Sequence, residues 1–255
     1  MQEKVTSPEF FKIIEEEKIE SGKYKHLIVA IPEIGLVGIL ALRQLVKSLN
    51  MRRVGFVVSE PTSVIIRYEN KQPEPMIRLF ANDDTLVLMF EAPMSAVLAI
   101  PLAKFIVKLI DEKQIELPIM LASAPSAARM QKADEEIMIL AAPVGKKAYE
   151  AVEKSGVEVI SNGTLSGPYA YVLMDRLIKK KTALVLLSET YQVPLVADPG
   201  SAARLLKVLA KILGKEDQIN VQELLERAEE IRLEMQKLEK AMKVSLPKEV
   251  SELYT

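Results

Sequence analysis

The residues best equipped for chemistry stand at the end of the chain, where Leu253-Tyr254-Thr255 bring together an aliphatic side chain, a phenol ring and a terminal carboxylate. That chemistry is recognition. A tethered terminus offering a hydrophobe, an aromatic hydroxyl and a negative charge within three residues suits docking into a partner's pocket. Short motifs of this kind also arise by accident, so the surrounding sequence has to support the reading.

Other groupings invite a catalytic reading and do not sustain it. The first strand-to-helix turn, Ile31-Pro32-Glu33-Ile34-Gly35-Leu36-Val37-Gly38, has glycines that permit a tight turn and the close approach of a phosphate. Only a GxxG is present, and Glu33 sets a carboxylate where the phosphate would lie, so tight strand-to-helix packing is its expected role. Gly145-Lys146-Lys147 lacks both the glycine five residues earlier and the following Ser or Thr of a nucleotide loop. Asn162-Gly163-Thr164-Leu165-Ser166-Gly167-Pro168 places small polar groups before a helix start, but no base accompanies Ser166 as a nucleophile. His26, the single histidine, precedes the first strand and reads as a solvated or edge residue. The runs Asp83-Asp84, Asp134-Glu135-Glu136 and Glu15-Glu16-Glu17 read as solvated faces. Asp198, followed by Pro199 and Gly200, reads as a helix cap. With no cysteine and no histidine cluster, neither a transition-metal site nor a cofactor is expected, and no catalytic residue is assigned.

The terminal tripeptide needs an element to hold it out. Just upstream, Val221, Leu224, Ala228, Ile231, Met235, Leu238 and Met242 alternate steps of three and four residues, which is the a/d seam of a heptad helix. Asn220 can cap the first turn, with Glu223 three residues on completing a capping-box pair, so the helix should start at about Val221. Pro247 cannot continue it. A helix of roughly 35 Å then gives way to a flexible tail with a reach of about 25 Å. Such a seam either folds back on its own domain or packs between subunits. Packing between subunits is expected here, in a multi-helix cluster rather than a bare dimeric zipper, because Ala228 and the methionines specify oligomer number poorly.

In the body, short apolar or β-branched runs alternate with amphipathic stretches, the pattern of an α/β sandwich whose sheet is covered on both faces. Strands are expected at residues 27–31, 54–58, 64–68, 76–80, 86–90, 119–122, 137–141 and 183–187, with antiparallel pairs among the middle ones. Helices are expected at 36–49, 94–112, 144–155, 168–180 and 199–213, several of them opening at Pro or after Gly. The segment from Ser7-Pro8 into Phe10, Phe11, Ile13 and Ile14 reads equally as helix or edge strand. The organisation is therefore an N-terminal segment (1–26), a core domain (27–214), a coiled-coil-like helix (220–245) and a tail (246–255).

At 255 residues and 49% hydrophobic content the chain can bury one large core. Lys and Arg number 34 against 35 Asp and Glu, so no charge excess draws it to nucleic acid or to an anionic membrane. Without cysteines, a secretory signal or a spanning apolar run, a cytoplasmic protein is expected.

Three stretches carry a resemblance. The turn Ile28 to Gly38, then Leu165-Ser166-Gly167-Pro168-Tyr169-Ala170, then Leu186-Leu187-Ser188-Glu189-Thr190 followed by Asp198-Pro199-Gly200-Ser201-Ala202-Ala203 resemble, in order and spacing, the proteasome assembly chaperone family in its archaeal branch. The resemblance runs from about Leu27 to Met242. It implies a core related in shape to nucleoside phosphorylases, a three-layer sandwich with a mixed, mostly parallel sheet, and a homo-oligomer that needs no ATP. It also implies that Leu253, Tyr254 and Thr255, a hydrophobic-tyrosine-any (HbYX) motif, dock between neighbouring α-subunits of the proteasome core particle, in an assembly chaperone or an activator. A small-molecule enzyme of phosphorylase-like or ligase-like type is the alternative. It would place a pocket near Gly35, Gly38 and Ser166.

Overall fold

The computed structural model describes residues 10–59, 65–193 and 196–245. The tail with Leu253, Tyr254 and Thr255 lies outside the described residues, as do the side-chain surroundings of Met235, Leu238 and Met242.

The strands are Lys12–Glu15 (β1), His26–Ala30 (β2), Arg52–Val58 (β3), Arg67–Glu69 (β4), Gln72–Glu74 (β5), Ile77–Asn82 (β6), Thr85–Phe90 (β7), Leu117–Pro125 (β8), Ile139–Val144 (β9), Glu158–Val159 (β10) and Ala183–Thr190 (β11). The helices are Val37–Ser48 (α1), Ala99–Glu112 (α2), Lys146–Ser155 (α3), Gly167–Ile178 (α4), Pro199–Leu213 (α5) and Gln222–Ser245 (α6). Nine strands form one mixed sheet in the order β1-β3-β6-β7-β2-β8-β11-β9-β10, and β4 pairs with β5 in a separate hairpin. The central strands β7, β2, β8 and β11 run parallel. The flanks bring in antiparallel partners, β6 against β7 as expected of the middle strands, and β9 against β11, which was not expected.

The parallel centre follows from composition. Leu-Val-Leu-Met-Phe in β7 and Leu-Ile-Val-Ala in β2 are continuous apolar runs, and every one of those residues is buried, as a strand covered on both faces requires. Because side chains alternate across a strand, Leu27 and Val29 enter one core with α2 and α4, whereas Ile28 and Ala30 enter the other with α1, α3 and α5. The result is a three-layer α/β sandwich.

Several expectations are sharpened or corrected. The ambiguous N-terminal stretch is an edge strand, β1, antiparallel to β3. It is held by Phe11, which packs on Phe90 and Phe105 with ring centroids 6.0 and 5.5 Å away. Of the strand expected at 64–68, residues 67 and 68 belong to β4, which pairs with β5 in the separate hairpin and does not join the main sheet. The helix expected from Met94 opens later, with a 3-10 turn at Ala96–Leu98. Pro101 falls in the first turn of α2, where its missing N–H costs nothing. The two-residue strand β10 was too short to carry a pattern.

The last helix starts within one residue of its expected position and is capped by Asn220 as expected, but without the Glu223 half of the capping box. The Asn220 side chain accepts from Gln222 N–H at 2.8 Å, while Glu223 pairs with Lys47 of α1 at 2.5 Å instead of closing a capping box. The Asn220 carbonyl also accepts from the Gln44 side chain at 2.6 Å, so the root of α6 is tied to the end of α1. Leu224 and Ala228 are buried beside α5, and Val221 and Leu225 are partly buried against the same core. The lower half of the heptad seam is thus satisfied within the chain.

Candidate functional site

The four central parallel strands end at one edge of the sheet, and the loops leaving that carboxyl edge bring many of the polar residues of the fold together. After β2, the turn reverses sharply through Gly35 (φ +78°). A Cβ there would lie 2.1 Å from Thr190 Oγ1, so only glycine fits. Gly38 sets the first turn of α1 against Ala30 and the Leu121 carbonyl, each 3.0 Å from an ideal Cβ. Both glycines do the packing work expected of them.

Glu33 points back over β8, where it accepts from the Ser123 N–H at 2.7 Å and the Ser123 hydroxyl at 3.2 Å. Burial pushes its carboxyl above the ordinary value, and the two Ser123 hydrogen bonds offset only part of that. Tyr169, in the first turn of α4, is buried, and its hydroxyl accepts from Ile31 N–H at 3.0 Å. Its own pKa is driven up by burial first and by the nearby Glu33 charge second.

Beside this pair lies a second, more buried cluster. Asp198 accepts from Ser201 N–H at 3.0 Å, which is the cap expected from the Asp-Pro-Gly sequence. It also takes both Nε and Nη2 of Arg129, at 2.9 and 2.8 Å, and the hydroxyls of Ser201 and Thr190. The Arg129 and Asp198 side chains are 3% and 1% exposed, so this is a bidentate ion pair almost out of water. Burial alone would lower the Arg129 pKa, and the Asp198 contacts raise it overall. The guanidinium stacks over Tyr191 at 4.6 Å and reaches Asp134 at 3.1 Å. Asp134 accepts in turn from Arg232 of α6 at 3.1 Å. The sequence reading of Asp134-Glu135-Glu136 as a solvated run holds for Glu135 and Glu136, which are exposed, and is corrected at Asp134. Asp134 is an interior bracket, and Glu136 folds back to accept from Ala133 N–H at 2.8 Å.

The remaining candidates lie apart. Ser166 is exposed at the N-cap of α4 and makes no capping hydrogen bond. His26 is the first residue of β2, at the opposite edge of the sheet. It is half-buried rather than solvated, with Nδ1 4.0 Å from Asp84, and burial lowers its pKa. Gly145 adopts φ +80° where an added Cβ would lie 2.7 Å from the Lys181 carbonyl, and Lys147 pairs with Glu116. The Glu15-Glu16-Glu17 run is ion-paired to Lys113, Arg53 and Arg52. Among the described residues, no group of three or more His, Cys, Asp or Glu is placed to hold a metal ion. No described helix is long and apolar enough to cross a membrane. The polar side chains at the carboxyl edge bind one another, an arrangement that fixes loops.

Fold and edge together define a three-layer α/β scaffold with a mixed sheet and its parallel centre's loops locked by ion pairs. The chain belongs to the PAC2 family, which residues 27–239 match. A Methanocaldococcus jannaschii protein, MJ0106, is 29% identical over 229 residues, covering 89% of this chain and 90% of that protein. Two solved structures from Pyrococcus furiosus share the fold. PbaA, described as an archaeal homolog of proteasome-assembly chaperone, is 22% identical with a TM-score of 0.73, over 92% of this chain and 99% of that one. PbaB, described as an archaeal proteasome activator, is 21% identical with a TM-score of 0.70, over 91% and 99%.

Proposed function

We propose that this protein is an ATP-independent, cytoplasmic partner of the proteasome core particle, acting as an assembly chaperone or activator through its terminal HbYX motif. Leu253 fills an apolar groove between neighbouring α-subunits, the Tyr254 ring packs beside it and hydrogen-bonds through its hydroxyl, and the Thr255 carboxylate pairs with a lysine of the pocket. The observation that carries the reading is the terminal Leu-Tyr-Thr placed behind the heptad helix, in a chain of the PAC2 family whose fold is that of PbaA and PbaB.

Three contacts bind weakly, so the reading includes a homo-oligomer. Several tails presented together raise avidity by about a hundredfold or more when their spacing matches the pockets. The protein works by binding, without a catalytic step, and the mutual pairing of Arg129, Asp198, Asp134 and Ser201 supports this. The test is co-sedimentation or native-gel association with a purified core particle of the same organism. The intact chain should bind, and a variant lacking Leu253 to Thr255, or carrying Tyr254→Ala, should not, although both remain folded. Binding that survives either change refutes the tail mechanism.

A further inference from the structure

The stretch from Asn162 to Pro168, whose small polar residues take no part in the binding reading, links β10 to α4. It opens with the single Asn-Gly pair of the chain. An asparagine side chain carries an electrophilic carbonyl carbon, and the backbone nitrogen of the next residue can reach it by closing a small ring. Glycine in that next place leaves the nitrogen unshielded, because it has no Cβ.

Both reacting groups stand free in the fold. Ser161, Asn162, Gly163 and Thr164 are exposed and lie outside helix and strand. Neither the Asn162 side chain nor the Gly163 N–H has a hydrogen-bond partner among the described residues. The other four asparagines are placed differently. Asn82 donates to the Leu49 carbonyl at 2.9 Å, and Asn220 accepts from Gln222 N–H at the start of α6. Asn50 precedes Met51, whose N–H already donates to the Val46 carbonyl at 2.9 Å, and Asn70 precedes the long side chain of Lys71. Packing also favours glycine at 163. A Cβ there would lie 2.9 Å from Cδ1 of Ile160, which is packed against the core.

We infer that Asn162 is a site of spontaneous deamidation in the folded protein, yielding aspartate and isoaspartate without an enzyme. The Gly163 nitrogen gives up its proton and bonds to Cγ of Asn162. The Cγ–Nδ2 bond breaks, ammonia leaves with that proton, and a succinimide ring is closed. Water then opens the ring. Cleavage between the nitrogen and Cγ gives aspartate, whereas cleavage between the nitrogen and the main-chain carbonyl carbon gives isoaspartate, whose backbone runs through the former side chain. In sum, an amide and a water become a carboxylate and an ammonium ion, with no oxidant, metal or cofactor. The fold survives, because the anchors on either side of the loop are untouched. Ile160 N–H donates to the Ala141 carbonyl at 2.9 Å, and the Tyr169 hydroxyl accepts from Ile31 N–H at 3.0 Å. What changes is one unit of negative charge ahead of α4, a helix whose first turn has no acidic residue. The isoaspartate form in addition offers a carboxylate that a methyltransferase specific for isoaspartate can esterify.

The intact folded chain, Asn162→Gln and a free peptide spanning Ser155 to Arg176 are incubated together in mildly alkaline buffer at one temperature. On isoelectric focusing the intact chain should gain a band one charge more negative, with unchanged circular dichroism. Its tryptic fragment Ser155 to Arg176 should carry the isoaspartate, detected by enzymatic methyl transfer from S-adenosylmethionine. Glutamine must close a larger ring and reacts more slowly, so Asn162→Gln should keep a single band over the same time. The folded chain and the free peptide should react at rates of the same order. A folded chain that stays intact while the peptide converts shows that the fold protects Asn162, which overturns the inference. An acidic band that forms equally in Asn162→Gln comes from another residue and overturns it as well.

Discussion

Replacing Arg129 by methionine tests the account of the carboxyl edge most directly. Methionine keeps most of the unbranched stem and its contact with Tyr191, but removes the cation from a carboxylate that is 1% exposed. Asp198 then retains the Ser201 N–H and the two hydroxyls, none of which carries a charge. Breaking a buried pair from one side leaves an uncompensated charge and costs about 3–5 kcal/mol. For 255 residues that is a fall in melting temperature of about 6–10 °C. The chain has no tryptophan, so urea unfolding should be followed by far-ultraviolet circular dichroism, at one fixed protein concentration because association shifts apparent stability. Adding Asp198→Asn removes the stranded charge. The double variant should therefore lose less than the sum of the single losses, by about 1–3 kcal/mol. A loss below about 1 kcal/mol for Arg129→Met, or strict additivity in the cycle, would refute the reasoning.

Two further outcomes follow. Leu224→Ala should lower stability by about 2–4 kcal/mol even in a monomeric variant, because this heptad residue is core; a change seen only in the oligomer would contradict its intramolecular burial. Glu33 has a pKa raised by burial, so the folded state holds its proton more tightly than the unfolded state. Its contribution to stability is present at acid pH and is lost as pH rises from the ordinary carboxylate value through the raised one. The stability of Glu33→Gln relative to the parent should accordingly increase across that window in denaturation curves taken at several pH values, and a constant difference would remove the argument.

What could be read from the sequence was what is local. Asp198-Pro199-Gly200 carries its own cap and start signal, and α5 runs from Pro199 to Leu213 as expected. The continuous apolar runs of β2 and β7 likewise announce strands buried on both faces. Strand order was not legible, because β8 pairs with β11 across two intervening helices and neither strand marks its neighbour. Asp134 sat in an acidic run, and its two arginine partners come from 5 residues back and 98 residues on, which no local pattern encodes. Arg129 drew no notice in sequence for the same reason, its partner being 69 residues away. The heptads foretold a helix correctly but could not say that its first turns would lie on α5.

The sheet order has a kinetic consequence. By the time Pro125 has been synthesised, β2 has both of its parallel neighbours, β7 and β8, but β8 has only one, and its other flank stays open until β11 emerges about sixty residues later. That pairing is the last in the parallel centre to become possible during synthesis. Until it closes, the nascent chain carries an unpaired apolar strand at an open edge. The Arg129–Asp198 bracket latches the closure, because it joins the loop after β8 to the helix after β11.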